Sequence, residues 1–165
     1  MARVAYNSWE EPAALVARQL DPGEPSLVSL GAMLGVAAPG ALDRMLLVAR
    51  IEDAVSAVTN TYPPRPRTGP QAELLKSLGH VDRHELTFRE ADATIRLLIA
   101  RERLRALERL RPVRGDTLVR VNDRWPSRVG ELVEVTSIDR MGRIWTRHAN
   151  GYPALPQHLM RLAAT

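Results

Sequence analysis

The chain has 165 residues, of which 45% are apolar and 25% are charged, a composition typical of a soluble globular protein rather than a disordered one. It contains no cysteine, which excludes disulfide scaffolds, thiolate zinc sites and cysteine nucleophiles. The sequence shows neither the signal-peptide pattern nor the apolar stretch of about 18 residues that a membrane span needs. We therefore expect a cytoplasmic protein that has no membrane partner.

Positive charge is unevenly distributed along the chain. Residues 1–60 contain four arginines and seven acidic residues, for a net charge of −3. Residues 61–165 contain 19 basic and 12 acidic residues, for a net charge of +7, and every basic residue of the chain except Lys76 is an arginine. A GC-rich coding sequence also favours arginine, so the placement of the arginines says more than their number. Such a chain would attract a polyanion to its C-terminal two thirds.

Residues 1–60 are expected to form an all-helical region. Asn7 or Ser8 can cap its first helix, and apolar residues at helical spacing predict a later helix over residues 41–58. The polar face of that helix is narrow, so we expect its neighbours or a partner protein to cover it on more than one side. Three prolines in residues 61–67 favour stiff, extended backbone and predict a linker rather than a proline-rich ligand.

Residues 68–111 predict a helical hairpin whose second helix is long and basic. Thr68-Gly-Pro-Gln71 and Thr87-Phe-Arg-Glu90 both fit the capping box, in which two side chains satisfy the first amides of a helix. Gly79 is placed to end the first helix as a left-handed cap, and Pro112 stops the second helix after about Leu110.

The hydrophobic period changes in residues 112–165, where three alternating stretches predict strands over residues 118–121, 132–135 and 143–147. Turn residues separate the three stretches. Several short strands at regular spacing predict a small antiparallel sheet that curls into a barrel. The expected fold class is therefore α+β, with an N-terminal helical region, a helical hairpin and a C-terminal barrel.

This last segment contains four motifs, Gly115-Asp-Thr-Leu-Val-Arg-Val121, Gly130-Glu-Leu-Val-Glu-Val135, Gly142-Arg-Ile-Trp-Thr-Arg147 and Pro156-Gln-His-Leu-Met-Arg-Leu162. Together these motifs resemble the small SH3-like barrels of the KOW type. In that type a Gly-Asp-x-Val-x-Val strand precedes a glycine that opens the next strand, and a late Pro-x-x-Leu turn leads into the last strand. The resemblance covers about a third of the chain and implies an SH3-like barrel that binds RNA, DNA or other proteins. The hairpin also resembles a helical hairpin of bacterial and phage proteins of uncertain role.

Arginines recur along one side of the long helix at Arg101, Arg105 and Arg109. A planar guanidinium group suits phosphate oxygens, so this row can contact a nucleic-acid backbone. The alternative is a solvated helix face on which Glu102 and Glu108 pair with Arg105 and Arg111. The sequence leaves both interpretations open.

A second candidate surface lies on the third predicted strand. Alternation places Arg143, Trp145 and Arg147 on one face and Ile144 on the other. An outward tryptophan between two cations suits base stacking and backbone binding, whereas the alternative places Trp145 in the core. The candidate contacts in the preceding loop are Arg124, Trp125 and Arg128.

Nothing in the sequence specifies a reaction. It lacks the nucleophile elbow, the dinucleotide motif and the P-loop, and its carboxylates fall on helix faces or near turns. His80-Val-Asp82-Arg-His84 has metal-ligating residue types, but a solvated loop between two helices is the favoured interpretation. We expect no catalytic residue, metal or cofactor.

These patterns lead to two functional hypotheses. The first is a non-enzymatic accessory subunit that contacts the backbone of DNA or RNA through its arginine-rich part and a partner protein through its N-terminal helices. The second is a structural or assembly protein, such as a phage or mobile-element scaffold subunit, whose barrel and helices bind other proteins. An enzyme is a third and less favoured reading.

Overall fold

The computed structural model divides the chain into two compact units. Unit 1 comprises Met1–Arg18 and Arg101–Thr165, and unit 2 comprises Gln19–Ala100. Unit 1 carries 15 basic and nine acidic residues, for a net charge of +6, whereas unit 2 carries eight basic and ten acidic residues, for a net charge of −2. These units differ from the sequence segments because the first 18 residues belong with the C-terminal sheet. The structure describes residues 4–59, 63–81, 84–122, 126–147 and 152–162.

The described residues form helices and strands of a mixed fold with an antiparallel sheet in its C-terminal part. A membrane crossing would need a longer or more apolar helix than any that these residues form. The helices are α1 (Glu10–Ala17), α2 (Pro25–Met33), α3 (Arg44–Thr59), α4 (Gly69–Ser77) and α5 (Phe88–Leu110). The strands are β1 (Ala5–Tyr6), β2 (Thr117–Arg120), β3 (Leu132–Asp139), β4 (Ile144–Thr146) and β5 (Leu159–Arg161).

Both predicted capping boxes are confirmed in unit 2. The Gln71 amide donates to the Thr68 hydroxyl at 3.3 Å, and the Thr68 amide donates to Gln71 Oε1 at 2.9 Å. The Glu90 amide donates to the Thr87 hydroxyl at 3.1 Å, and the Thr87 amide donates to Glu90 Oε2 at 3.0 Å. Gly79 has a φ of +74°, the left-handed conformation predicted for the end of α4. The hairpin therefore follows from local capping chemistry.

Helix α3 is joined to the start of α5 by a partly buried polar network in unit 2. The buried carboxylate of Asp53 accepts hydrogen bonds from the Thr87 hydroxyl and, at 2.8 Å, from Arg89 Nη1. Arg50 Nε donates at 2.8 Å to Glu90 Oε1, so the carboxylate that caps α5 also pairs with α3. The buried charge of Asp53 is stable only when it is compensated by such partners. The partners meet only when α3 and α5 pack in this one arrangement, so the network specifies that packing.

Residues of α4 and α5 bury a small apolar cluster in the same unit. Leu75 of α4 contacts Ala91 and Ile95 of α5, together with Leu86 from the connecting loop, and all four are buried. Three partly buried side chains of the hairpin pack around this cluster. Hydrophobic burial of this kind supplies most of the stability of a short helix such as α4.

The sheet of unit 1 is antiparallel and has the strand order β1-β3-β2-β5, with β4 paired to β3. Strands β2, β3 and β4 occur where they were predicted, and β3 continues to Asp139 across an irregular register between Val135 and Ser137. A 3-10 turn over Pro156–His158 leads into β5, as the Pro-x-x-Leu motif implied. These pairings establish an antiparallel sheet in the C-terminal part of the chain.

The prediction that residues 1–60 are all-helical is wrong at the N-terminus. Strand β1 pairs with β3, with Ala5 opposite Asp139 and Tyr6 opposite Ile138. Helix α1 begins after Trp9, which makes no side-chain capping hydrogen bond, so neither Asn7 nor Ser8 caps it. A two-residue strand has no readable periodicity, and its conformation depends on a partner strand that is distant in sequence.

The core of unit 1 lies between the sheet and two helices. Its buried residues come from α1, the C-terminal part of α5 and strands β2 to β5. The β3–β4 turn approaches both helices at Gly142, whose φ is +71°. A Cβ atom at this position would lie 2.7 Å from Leu107 Cδ1 and 3.3 Å from Val16 Cγ2. Since both neighbours are fully buried, they have little room to move away.

Substitution Gly142→Ala is expected to lower the free energy of unfolding of unit 1 by about 2–4 kcal/mol, through backbone strain and overlap with buried side chains. Gly130→Ala is the control, because Gly130 has a φ of +90° and open space around its Cα. Strain alone should cost about 1–2 kcal/mol there. Urea unfolding monitored by tryptophan fluorescence reports on unit 1, which holds all three tryptophans. Equal losses in the two variants would contradict this packing.

Substitution Asp53→Ala is expected to destabilise unit 2 by about 2 kcal/mol, because it leaves the Thr87 hydroxyl and the Arg89 guanidinium without their buried acceptor. Glu52→Ala is the matched control, since Glu52 also pairs with Arg89 but is largely exposed. Its loss should cost less than about 1 kcal/mol. Urea unfolding monitored by the helical circular-dichroism signal measures both effects, and a larger effect for Glu52→Ala would contradict the network.

Candidate nucleic-acid interface

The face of β4 carries the predicted trio of Arg143, Trp145 and Arg147. Ile144 lies in the core of unit 1, and the three side chains of the trio lie on the opposite face, the separation that the alternation predicted. Trp145 is half-buried, so it is neither the open stacking platform nor the core residue that the two interpretations proposed. Its polar neighbours explain this intermediate position.

The buried carboxylate of Asp139 binds two members of this trio. Its Oδ2 atom accepts from Arg143 Nε at 2.8 Å and from the Trp145 indole Nε1 at 3.2 Å. Its Oδ1 atom accepts from the backbone amides of Met141 at 2.9 Å and Arg143 at 3.0 Å. The side chains of Arg143 and Trp145 are therefore held by the protein itself. A phosphate or base would have to compete with a buried carboxylate for them.

Arg103 of α5 lies next to this carboxylate. Its Nη1 atom donates to the Met141 carbonyl at 2.8 Å, whereas its buried Nε atom has no hydrogen-bond partner among the described residues. Burial lowers the pKa of Arg103 most, the positive charge of Arg143 lowers it further, and Asp139 opposes both effects. The hydrogen bond from Arg103 to the Met141 carbonyl thus joins α5 to the β3–β4 turn.

The other predicted arginines of the sheet region are also paired. Arg147 Nη2 lies 3.1 Å from Glu134 Oε1, and Arg128 Nε lies 3.3 Å from Glu131 Oε2. The same Glu131 oxygen is 3.2 Å from Nε of the buried Arg120. Much of the positive charge on this part of unit 1 is therefore neutralised locally. The predicted contacts Arg124 and Trp125 lie outside the described residues.

The arginines of α5 are arranged differently. Arg101, Arg105 and Arg109 are all exposed. Neither Arg105 nor Arg109 pairs with a carboxylate in the part of the chain that the structure describes, so the expected pairing of Glu102 with Arg105 is not formed. Arg109 Nη2 instead donates to the Leu159 carbonyl at 3.3 Å. This part of the helix keeps its positive charge.

Arg105 and Arg109 line a depression of about 420 Å³ in unit 1, which we call the α5 depression. It lies between the C-terminal half of α5, the end of β2 and the 3-10 turn before β5. Its other polar lining residues are Glu102, Asn122, Gln157 and His158. The depression therefore brings two arginines and a histidine together with amide and carboxylate oxygens.

Backbone pairing holds the far wall of the α5 depression in place. The His158 carbonyl accepts from the amides of Val121 at 2.9 Å and Asn122 at 3.4 Å, which aligns the end of β2 with the 3-10 turn. On the helix side, the Leu110 carbonyl accepts from Arg161 Nε of β5 at 2.6 Å. Hydrogen bonds therefore fix the positions of both the far wall and the helix that line the depression.

Sequence reasoning did not identify Asn122, Gln157 or His158 as site residues. The Pro-x-x-Leu motif contains Gln157 and His158 but indicated a turn rather than a binding surface, and Asn122 only opened the loop that contains the predicted contacts Arg124, Trp125 and Arg128. Their approach to Arg105 and Arg109 depends on pairing between β2 and β5, which the sequence does not specify.

Unit 2 contains a separate depression of about 390 Å³ lined by Asp53, Pro63, Arg65, Phe88 and Arg89. Its cations are already engaged. Arg89 pairs with Asp53, and the Arg65 guanidinium lies 4.6 Å from the centre of the Phe88 ring. This arrangement favours no particular ligand.

Comparison with known proteins gives no match: no family model fits the chain, and no curated protein or solved structure is significantly similar to it. The functional argument therefore depends on the chemistry of the site. Of the two candidate surfaces, the β4 face has each of its arginines paired with a carboxylate, Arg143 with Asp139 and Arg147 with Glu134, and Trp145 Nε1 also donates to Asp139. The α5 depression keeps unneutralised guanidinium groups in a concave setting.

Substitution Asp139→Ala is expected to destabilise unit 1 by about 2–3 kcal/mol, because the buried acceptor of four hydrogen bonds is lost and Arg103 loses its nearby negative charge. Arg147→Ala removes an exposed ion pair and should cost less than about 1 kcal/mol. Urea unfolding monitored by tryptophan fluorescence compares the two variants. The indole of Trp145 should also change its emission in Asp139→Ala alone, and an unchanged midpoint for that variant would contradict the role of Asp139.

Proposed function

We propose that this protein is a non-enzymatic nucleic-acid-binding accessory subunit that contacts the phosphate backbone through α5. The observation that carries the proposal is the α5 depression, where Arg105 and Arg109 face a concave surface without a carboxylate partner among the described residues. Two guanidinium groups four residues apart on a helix lie close enough to act on one phosphodiester segment. Arg101 extends the same side of the helix by one turn.

The charge of unit 1 supports this proposal. A net charge of +6 on one unit, against −2 on the other, would attract a polyanion to unit 1 before any contact forms. Each neutralised phosphate would release counterions, so the affinity should fall steeply with salt. In this proposal Arg143, Trp145 and Arg147 contribute less than the sequence indicated, because their carboxylate partners must first be displaced.

The sheet of unit 1 enters the proposal as a small SH3-like barrel of the KOW type. The antiparallel order of the strands and the 3-10 turn that precedes β5 support this assignment. Barrels of this kind serve as binding modules, and their function lies in the surface residues rather than in the fold. Here those surface residues are the wall of the α5 depression.

A partner protein is proposed for unit 2. Met33 at the end of α2 and Val58 near the end of α3 are 84% and 80% exposed, and large apolar side chains at such exposure suit burial by another chain. The same observation favours the second candidate function, a structural or assembly protein in which the arginines serve solubility. The two candidates differ in whether nucleic acid binds at all.

Fluorescence anisotropy of labelled single- and double-stranded DNA and RNA at several salt concentrations tests the proposal. We expect micromolar or tighter binding at low salt. Arg105→Ala/Arg109→Ala should weaken binding and reduce the slope of log K against log salt by about 1.4–1.8, as the loss of two phosphate contacts requires. Arg143→Ala/Arg147→Ala removes the same charge from the β4 face and should have a smaller effect.

Absence of binding at low salt would overturn the nucleic-acid proposal and leave the assembly function. Sedimentation of the purified chain at several concentrations would then test self-association. A larger effect from Arg143→Ala/Arg147→Ala than from Arg105→Ala/Arg109→Ala would move the interface to the β4 face.

A further inference from the structure

The α5 depression contains hydrogen-bond acceptors beside its cations. Glu102 contributes a carboxylate, and Gln157 contributes an amide whose Oε1 atom is buried and meets no hydrogen-bond donor among the described residues. A buried acceptor without a donor is costly to a folded protein. Simple attraction of phosphate explains Arg105 and Arg109 but leaves these two acceptors without a role.

The helix places one of these acceptors next to the cations. Glu102, Arg105 and Arg109 are spaced at i, i+3 and i+7 along α5, so they lie on one stripe of the helix. The ligand that suits this stripe carries an anionic group with a hydrogen-bond donor about one helical turn away. A phosphodiester supplies the anion but no donor, so the donor must come from the sugar or the base.

The ribose 2′-hydroxyl is the donor closest to a backbone phosphate. Carboxylates accept hydrogen bonds from ribose hydroxyls in nucleotide-binding proteins, and the 2′-hydroxyl is the group by which a protein tells RNA from DNA. The depression has a volume of about 420 Å³, within the range of about 300–1,000 Å³ that small-molecule sites occupy. A single ribonucleotide unit fits this size and this set of donors and acceptors.

We infer that the α5 depression is a ribonucleotide subsite, in which Arg105 and Arg109 bind the phosphate and the exposed Glu102 carboxylate accepts from the ribose hydroxyl. Gln157 Oε1 joins Glu102 as an acceptor when its side chain turns toward the ligand. This inference rests on the proposed function and narrows it, since the protein would bind RNA in preference to DNA of the same base sequence. Asn122 and His158 stand at the opposite wall, where the base would lie.

The test compares two labelled single strands that have the same base sequence and differ only in the sugar. One strand is RNA, and the other has deoxyuridine in place of uridine. The wild-type protein is expected to bind the ribose strand about 3- to 10-fold more tightly, the effect of one added hydrogen bond. Glu102→Ala/Gln157→Met should bind both strands with equal affinity. Gln157→Met keeps the volume of the side chain, and the affinity for the deoxy strand itself shows that the variant is folded.

Glu108→Ala is the matched control for charge. It removes an exposed carboxylate from the same helix outside the depression, so it should strengthen the binding of both strands and keep the preference for ribose. Loss of the preference in Glu108→Ala as well would overturn the assignment of the hydroxyl to this site.

Equal affinity of the wild-type protein for the two strands would overturn the inference. If that binding still requires Arg105 and Arg109, the proposed function stands without ribose recognition. Absence of binding to either strand would instead overturn the proposed function.

A competition experiment distinguishes a free nucleotide from the RNA backbone as the ligand of the subsite. Uridine 3′-monophosphate, its 2′-deoxy analogue and inorganic phosphate each compete with the labelled RNA strand for the protein. If the ribonucleotide competes as tightly as the RNA strand, the subsite serves a free nucleotide, and if only the strand binds tightly, it serves the RNA backbone. Either result supports the subsite when the 2′-deoxy analogue is weaker. Equal competition by inorganic phosphate and the ribonucleotide would contradict it.

Discussion

The buried carboxylate of Asp139 is the constraint on which the surface of unit 1 depends. A carboxylate in this position requires compensation, and it receives two backbone amides together with the side chains of Arg143 and Trp145. These bonds shape the β3–β4 turn, at whose end Gly142 packs against α5. Arg143 and Trp145, which resemble a nucleic-acid surface in sequence, are therefore part of the folded framework, and Arg143 Nε and Trp145 Nε1 already donate to Asp139.

The positions of the carboxylates determine which arginines are paired within the protein and which could bind a ligand. Most predicted arginines of the sheet region have a carboxylate within ion-pair distance, whereas Arg105 and Arg109 do not among the described residues. Positive charge without local compensation has the longer reach, so Arg105 and Arg109 contribute more to the field of unit 1 than a paired arginine such as Arg147. The second wall of the depression adds hydrogen-bond acceptors beside these cations, and the proposed recognition of a ribose rests on this combination.

The same principle organises unit 2, where polar groups join elements that are distant in sequence. Glu90 caps α5 and also pairs with Arg50 of α3, while Asp53 accepts from the residue that forms the other half of the cap. The capping residues at the start of α5 therefore hydrogen-bond both to each other and to side chains of α3. The proposed contact of this unit with another protein rests on the exposed side chains of Met33 and Val58.

The sequence by itself determined the two capping boxes, the extent of α5 to Leu110 and the strands β2, β3 and β4, because capping, periodicity and turn residues act over a few neighbouring positions. It also placed Ile144 on one face and the trio of Arg143, Trp145 and Arg147 on the other. Only the tertiary structure decided that Ile144 is the core residue, that Asp139 holds Trp145, and that Gln157 lines the same depression as the arginines of α5. The pairing of β1 with the sheet was likewise decided only there. Those outcomes depend on strand pairing and burial between distant segments, for which a local pattern carries no signal.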